Sequence, residues 1–124
     1  MTSKDIRKYI DVYYTDPVII KAGDTTSSPI DLGNHTLSGI QLPAGMTGTE
    51  MTFLGSTNNQ DYVPMKTISG DLFTMVFDGT ASITAINPQD TACVRYIRLV
   101  SNATEAADRS ITVISVHAAT DWDE

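Results

Sequence analysis

The residue types best suited to chemistry in this chain are one cysteine, two histidines and fifteen carboxylates. A nucleophilic cysteine needs a histidine and an orienting acid, but no motif links Cys93 to His35 or His117. The sequence also lacks a phosphate-binding glycine loop, a histidine pair at metal-ligand spacing and a Gly-x-Ser-x-Gly nucleophile elbow. We therefore expect no enzymatic activity, no catalytic residue and no cofactor.

The acidic residues are scattered, and most of them fall where turns are predicted. Aspartate favours turns because its side chain accepts hydrogen bonds from nearby backbone N–H groups. A calcium site needs a loop dense in oxygen ligands, and no such loop is visible. We expect no metal site, and we expect His35 and His117 to be separate surface residues.

The segment from Asn58 to Tyr62 is the most ligand-like part of the sequence. Amide and carboxylate side chains can hydrogen-bond a sugar, and an aromatic face can stack on it. The other interpretation is a polar turn between two strands. The candidate contact residues are Asn58, Asn59, Asp61 and Tyr62.

Apolar residues alternate with small or polar ones in two neighbouring segments, 37–44 and 50–59, although Ile40 and Leu42 fall out of strict phase in the first. The pattern predicts two strands joined as a hairpin by a Gly/Thr-rich connection. Asp78-Gly79 is a second strong hairpin signal. Further strand candidates follow at regular intervals: 18–22, 28–32, 62–68, 71–77, 81–86, 93–100 and 110–117. The pattern predicts an all-β, jelly-roll-like antiparallel β-sandwich of eight or nine short strands. Cys93 begins one of these strands and is expected to be a small buried hydrophobe.

The two ends of the chain differ from the predicted sandwich at 17–118. Residues 1–16 form a predicted N-terminal arm, compatible with a helix or a strand, which Asp16-Pro17 is expected to end. Residues 119–124 form an acidic tail, either solvated or anchored to a neighbour through its tryptophan. The candidate residues for protein contacts are Lys4, Arg7, Tyr13, Tyr14 and Trp122.

The net charge of −7 over 124 residues excludes some classes of partner. Binding to nucleic acid or to an anionic membrane requires clusters of Lys and Arg, and the eight basic residues form no run. No apolar stretch is long enough for a transmembrane helix, and the first residues do not resemble a signal peptide. We expect no nucleic-acid and no membrane partner.

Four segments carry a resemblance to a known family: 37–44, 47–56, 94–101 and 106–113. Their "GIQ-P-A", "T-F-x-x-S", "RY-x-R" and "AADR-x-I-T" patterns resemble those of small virion proteins of tailed bacteriophages, over residues 18–116. The same segments are more faintly similar to discoidin-type galactose-binding domains. In those domains Asp-Gly usually stands in the loop that here reads Thr57-Asn58-Asn59-Gln60-Asp61. Both resemblances imply a jelly-roll-like sandwich, and neither supplies catalytic residues.

The phage resemblance implies a capsid decoration (cement) protein that binds the outer surface of the major capsid protein lattice and stabilises it. Such a protein would be made in the host cytoplasm, reside on the capsid exterior and form a homo-oligomer, for example a trimer at lattice three-fold positions. Two alternatives remain open at this point. One is a carbohydrate-binding module of a tail fibre or spike, and the other is a head–tail or tail structural component.

Overall fold

Nine strands account for nearly all the regular structure of residues 10–119, the backbone that the computed structural model describes; side chains are described for residues 14–117. The strands are β1 (Ile10–Ile20), β2 (Ile30–Asp31), β3 (Thr36–Leu42), β4 (Glu50–Ser56), β5 (Val63–Pro64), β6 (Thr74–Val76), β7 (Ser82–Ala85), β8 (Tyr96–Ser101) and β9 (Arg109–Ala119). A single turn of 3₁₀-helix spans Pro88–Asp90 within this part of the chain. The predicted all-β antiparallel sandwich is confirmed.

The strands form two antiparallel sheets. The first sheet has the order β1-β9-β3-β7, and the second has the order β2-β8-β4-β5, with β6 also paired to β4. Most connections therefore cross from one sheet to the other, which is the arrangement of a double-sheet sandwich rather than of a meander.

Both predicted hairpins are wrong in their pairing. β3 pairs with β7 and β9, whereas β4 pairs with β5, β6 and β8, so the two strands belong to opposite sheets. Likewise, the Asp78-Gly79 turn joins β6 of the second sheet to β7 of the first. Alternating polarity specifies which face of a strand is buried, but it does not specify the partner strand. The connection 43–49 is long enough to cross the roughly 10 Å between packed sheets.

The core lies between the sheets and is built from the inward residues of each strand. Met51, Phe53 and Gly55 of β4 point inward and are buried, as the alternation predicts. Phe53 packs against Phe73 with ring centres 4.8 Å apart. A Cβ on Gly55 would stand 2.9 Å from Cγ of Met65, so the glycine permits the close approach of the chain after β5.

The sequence predicted that the first segment ends at Asp16-Pro17, but β1 continues through these residues to Ile20. It pairs with β9 over its whole length, from Ile10 opposite Ala119 to Ile20 opposite Arg109. Proline is tolerated because β1 is an edge strand, where a missing N–H need not break a ladder. Residues 10–16 of the predicted arm thus form a strand of the first sheet, while residues 1–9 lie outside the described residues.

Candidate functional site

Three loops gather at one end of the sandwich, which we call the loop end: residues 32–35, 57–62 and 86–95. Strand pairing places them there, because Ser56 at the end of β4 is opposite Tyr96 at the start of β8. The backbone N–H of Leu32 donates to the carbonyl oxygen of Arg95 at 2.7 Å, which joins the first and third loops. Sandwich domains commonly carry their binding residues on such loop clusters.

The predicted contact loop is held together by its own side chains. Oδ1 of Asn58 accepts hydrogen bonds from the N–H groups of Gln60 and Asp61, both at 2.9 Å. Oγ of Ser56 accepts from the N–H groups of Asn58 at 3.1 Å and Asn59 at 2.9 Å. Nδ2 of Asn58 donates to Oδ2 of Asp61 at 2.9 Å. Many of the polar groups expected to face a ligand therefore stabilise the turn itself.

Tyr62 is half-buried and its ring is already in contact with a cation. The guanidinium carbon of Arg98 lies 5.1 Å from the ring centre, within the range of a cation–π interaction. The Tyr62 hydroxyl donates to Oδ1 of Asn59. One face of the predicted stacking platform is thus occupied, which leaves less aromatic surface for a sugar.

A cleft of about 300 Å³ adjoins this loop. Its lining includes both apolar and charged residues: Val63, Pro64, Met65 and Val94, with Asp61, Lys66 and Asp90. Asp90 is held in place because its Oδ1 accepts from the N–H of Ile68 at 3.0 Å. The volume is at the lower limit for small-molecule sites.

Cys93 lies at this cleft and is exposed, so the expectation of a buried strand residue was wrong. β8 begins only at Tyr96, and the preceding residues turn after the 3₁₀-helix. Thr91 of this turn is buried. Its Oγ1 donates to the carbonyl oxygens of Leu37 and Pro88. The predicted strand began at Cys93, three residues before the backbone pairing of β8 begins at Tyr96.

The two histidines, expected to be separate, lie side by side at the loop end. Thr36 pairs with Val116, and the imidazole rings of His35 and His117 are parallel within 8° with centres 5.5 Å apart. The Tyr14 ring lies 4.2 Å from that of His35. No local pattern could have revealed this cluster, because it depends on the pairing of β9 with both β3 and β1.

The predicted protein-contact residues have different outcomes. Tyr14 is 45 % exposed at the loop end, and Tyr13 lies in β1 opposite Val116. Lys4, Arg7 and Trp122 lie outside the described residues.

At the opposite end of the sandwich, Glu105 forms a buried polar cluster that the sequence did not predict. The residue is only 1 % exposed. Its carboxylate accepts hydrogen bonds from the N–H groups of Thr47 and Gly48, from the Ser101 hydroxyl and from Nε of Arg109, at 2.8–3.1 Å. The only sequence signal was an acid four residues before an arginine.

The hydrogen bonds around Glu105 determine its charge state. Burial raises the pKa of Glu105, but the four donors outweigh that effect and hold the pKa at about 2, below the ordinary 4.5. The carboxylate is therefore ionised at neutral pH and fastens the loops 43–49 and 101–108 to each other.

Exposed apolar residues concentrate along one side of the sandwich, where β6 and β7 border the two sheets. Val76 of β6 is 71 % exposed and Ile83 of β7 is 65 % exposed. Ile68 and Leu72, in the hairpin before β6, are also exposed. A groove of about 360 Å³ runs between β6 and β7. We call Val76, Ile83 and this groove the apolar edge.

Within residues 14–117, no group of three or more His, Cys, Asp or Glu side chains is arranged to hold a metal ion. In the part of the chain that the structure describes, no helix has the length and apolar character needed to cross a membrane.

Comparison with known proteins identifies a similar fold. No protein-family model and no curated protein sequence matches the chain. The crystal structure of the SPBc2 prophage-derived protein YomS is similar to this chain with a TM-score of 0.56 and 12 % sequence identity. The match covers 87 % of this chain and 96 % of YomS. The two proteins share a fold over nearly their whole lengths.

Proposed function

We propose that this protein is a structural component of a tailed-bacteriophage virion, namely a capsid decoration protein that binds the outer surface of the major capsid protein lattice. It has no catalytic role in this proposal; it stiffens the shell by contacting several capsid subunits. The proposal also places the protein on the capsid exterior as a homo-oligomer.

The observation that carries the proposal is the apolar edge. Val76 and Ile83 have large apolar side chains that are exposed to solvent. They lie on β6 and β7, which are edge strands of the two sheets. Val76 is paired with exposed Glu50 and Ile83 with exposed Gln41, so the two side chains lie on the outer faces of the second and the first sheet, respectively, at the same side of the sandwich. Apolar surface left exposed at such an edge marks protein–protein interaction sites, and free edge strands offer unpaired backbone groups to a partner. A major capsid protein subunit is the partner to which the proposal commits.

Two further properties support the proposal. The net charge of −7 is suited to a protein outside the shell, which gains nothing from affinity for the packaged genome. The fold is similar to that of a prophage-derived protein, which supports an association with phage.

The test is binding to capsids that lack this protein. Purified protein is mixed with such capsids over a range of salt concentrations, and co-sedimentation and the melting temperature of the shell are measured. We expect saturable binding and a higher melting temperature of the shell. Wild-type protein that fails to co-sediment at every salt concentration would contradict the proposal.

A double lysine variant tests whether the apolar edge is the surface that contacts the capsid. In Val76→Lys/Ile83→Lys we expect at least tenfold weaker capsid binding, because two lysines must be desolvated in the interface. Folding should be unchanged, since both residues are exposed. Ile19→Lys is the matched control, because Ile19 is also exposed but lies in β1, at the other edge of the first sheet. Equal binding by the double variant would exclude the apolar edge.

The alternative of a carbohydrate-binding module is favoured by the cleft beside the 57–62 loop. In that case a glycan array gives a signal that is lost in Lys66→Ala, because Lys66 lines the cleft and takes no part in the Asn58 hydrogen bonds. Silence on the array together with many copies per particle would favour the capsid over a tail fibre, a spike or a head–tail component.

A further inference from the structure

We propose that His35 and His117 together bind one first-row transition metal ion of the Zn²⁺ class. The two imidazoles supply two ligands, and water or a side chain of a neighbouring protein fills the remaining positions. The site is independent of the capsid proposal, because it rests on the histidine pair alone.

The geometry of the pair permits chelation. Two nitrogens bound to one tetrahedral zinc ion lie about 3.4 Å apart, given Zn–N distances of about 2.0 Å. The ring centres, 5.5 Å apart, are close enough for one nitrogen of each ring to reach that separation, but the rings are parallel within 8°. A metal ion lies in the plane of each ligating imidazole, so one ring has to turn for both nitrogens to face the same ion. The ring that turns is that of His117, by rotation about its outer side-chain bond, for which histidine has a broad, shallow energy profile.

One of the two rings is already oriented by the protein. Nδ1 of His35 lies 3.2 Å from Oγ of Ser115, and Ser115 is buried. This contact engages the inner nitrogen and leaves Nε2 of His35 as the metal ligand. Such a second hydrogen bond on a ligating histidine fixes both the tautomer and the ring orientation. The Tyr14 ring, 4.2 Å from His35, restricts the ring further.

The chemistry of the donors selects the class of ion. Imidazole nitrogen suits zinc, nickel and copper, whereas magnesium and calcium prefer oxygen ligands. Neither histidine forms an ion pair with a residue in the range 14–117, so no carboxylate partner has to be displaced. With two protein ligands, binding should be weaker than at a four-ligand structural site.

The test uses full-length protein purified without a polyhistidine tag. Zinc chloride is titrated by calorimetry, with magnesium chloride as the control ion. The experiment is done in Cys93→Ser, because the exposed thiol of Cys93 is a competing zinc ligand. We expect zinc binding at one ion per chain, or one per two chains when a second copy completes the site, and no binding of magnesium.

NMR of the histidine side chains identifies the residues that bind zinc. The chain contains only two histidines, so their imidazole proton signals are readily distinguished by NMR. We expect both signals to shift with zinc, and we expect His117→Asn to weaken binding at least tenfold. His117 is exposed, so this variant should fold. Unshifted imidazole signals at millimolar zinc, or equal binding by His35→Asn/His117→Asn, would overturn the proposal.

Discussion

Glu105 is the residue on which one end of the sandwich depends. A buried charge is expensive unless nearly all its hydrogen-bonding capacity is satisfied, and here two backbone N–H groups, a hydroxyl and a guanidinium provide that satisfaction. At this end of the sandwich the hydrogen bonds of Glu105 hold the loops together, as apolar packing holds the sheets together in the middle of the molecule. They do so only while the carboxylate is ionised.

Replacing Glu105 should therefore have a pH-dependent cost. The pKa of Glu105 in the folded protein, about 2, is below the ordinary 4.5. Its ionisation thus contributes stability above about pH 5, and this contribution is lost as the pH falls through 4.5 towards 2. The difference corresponds to about 3 kcal/mol at neutral pH. We expect the gap in unfolding free energy between wild type and Glu105→Gln, measured by urea denaturation, to be constant from pH 7 to about pH 5 and to shrink from there to pH 2. A gap independent of pH would contradict this account.

Gly48 is the position where a single added methyl group should disrupt the same cluster. A Cβ there would stand 2.2 Å from Oγ of Ser101 and 2.7 Å from Oδ1 of Asn102, so both side chains must move. We expect Gly48→Ala to lower the unfolding free energy by about 2 kcal/mol. Gly39→Ala is the control, because its new Cβ finds no atom closer than 3.4 Å. Equal losses in the two variants would show that the contact is not the cause.

At the scale of elements, the 57–62 loop shows how a short polar segment holds its shape without burial. Asn58 provides most of the order, because its side chain bonds to Gln60 and Asp61 in the loop and to Ser56 at the end of β4. The sequence placed this loop correctly between two strands. It could not show that the amide groups bond to the loop itself rather than face outward.

Removing the Asn58 side chain should loosen the loop and leave the sheets intact. In Asn58→Ala we expect the amide protons of Gln60 and Asp61 to exchange with solvent about tenfold faster, corresponding to the loss of about 1.4 kcal/mol of hydrogen bonding. Hydrogen exchange measured by NMR checks this. Gln60→Ala is the control, since the Gln60 side chain makes no hydrogen bond within residues 14–117. Faster exchange throughout β4 would contradict a local effect.

Local pattern predicted the strands far better than their partners. The inward face of β4 follows from alternation, because that property depends on neighbouring residues, whereas β3 has a register shift between Leu37 and Gly39 and buries both Gly39 and Ile40. Membership of different sheets depends on residues far away in the chain, as does the meeting of His35 with His117. The burial of Glu105 was equally invisible, since residue type alone predicts a charged surface position.

At the scale of the whole molecule, pairing of the first described strand with the last forms one edge of the first sheet. β1 and β9 are matched over eleven residue pairs, and β9 in turn pairs with β3. Contacts of such long sequence separation are typical of slowly folding all-β proteins. They also make the stability of the sandwich depend on residues 10–16.

Deleting residues 1–16 should therefore destabilise the entire protein. The deletion removes seven of the eleven β1–β9 pairs, and we expect the melting temperature to fall by roughly 10 °C or more. Thermal denaturation followed by circular dichroism measures this. Deletion of residues 1–9 alone leaves all of β1 and is the matched control. An unchanged melting temperature after the longer deletion would show that 1–16 is a separable arm.

The antiparallel match of Ile10 with Ala119 also has a consequence for engineering. Cargo proteins fused before β1 and after β9 would emerge side by side from the loop end and point in the same direction. The same proximity allows the chain to be circularly permuted, with a short linker joining these two strands and new termini opened in the hairpin turn at Gly70. Such a permutant would present its fused cargo from the long side of the sandwich instead.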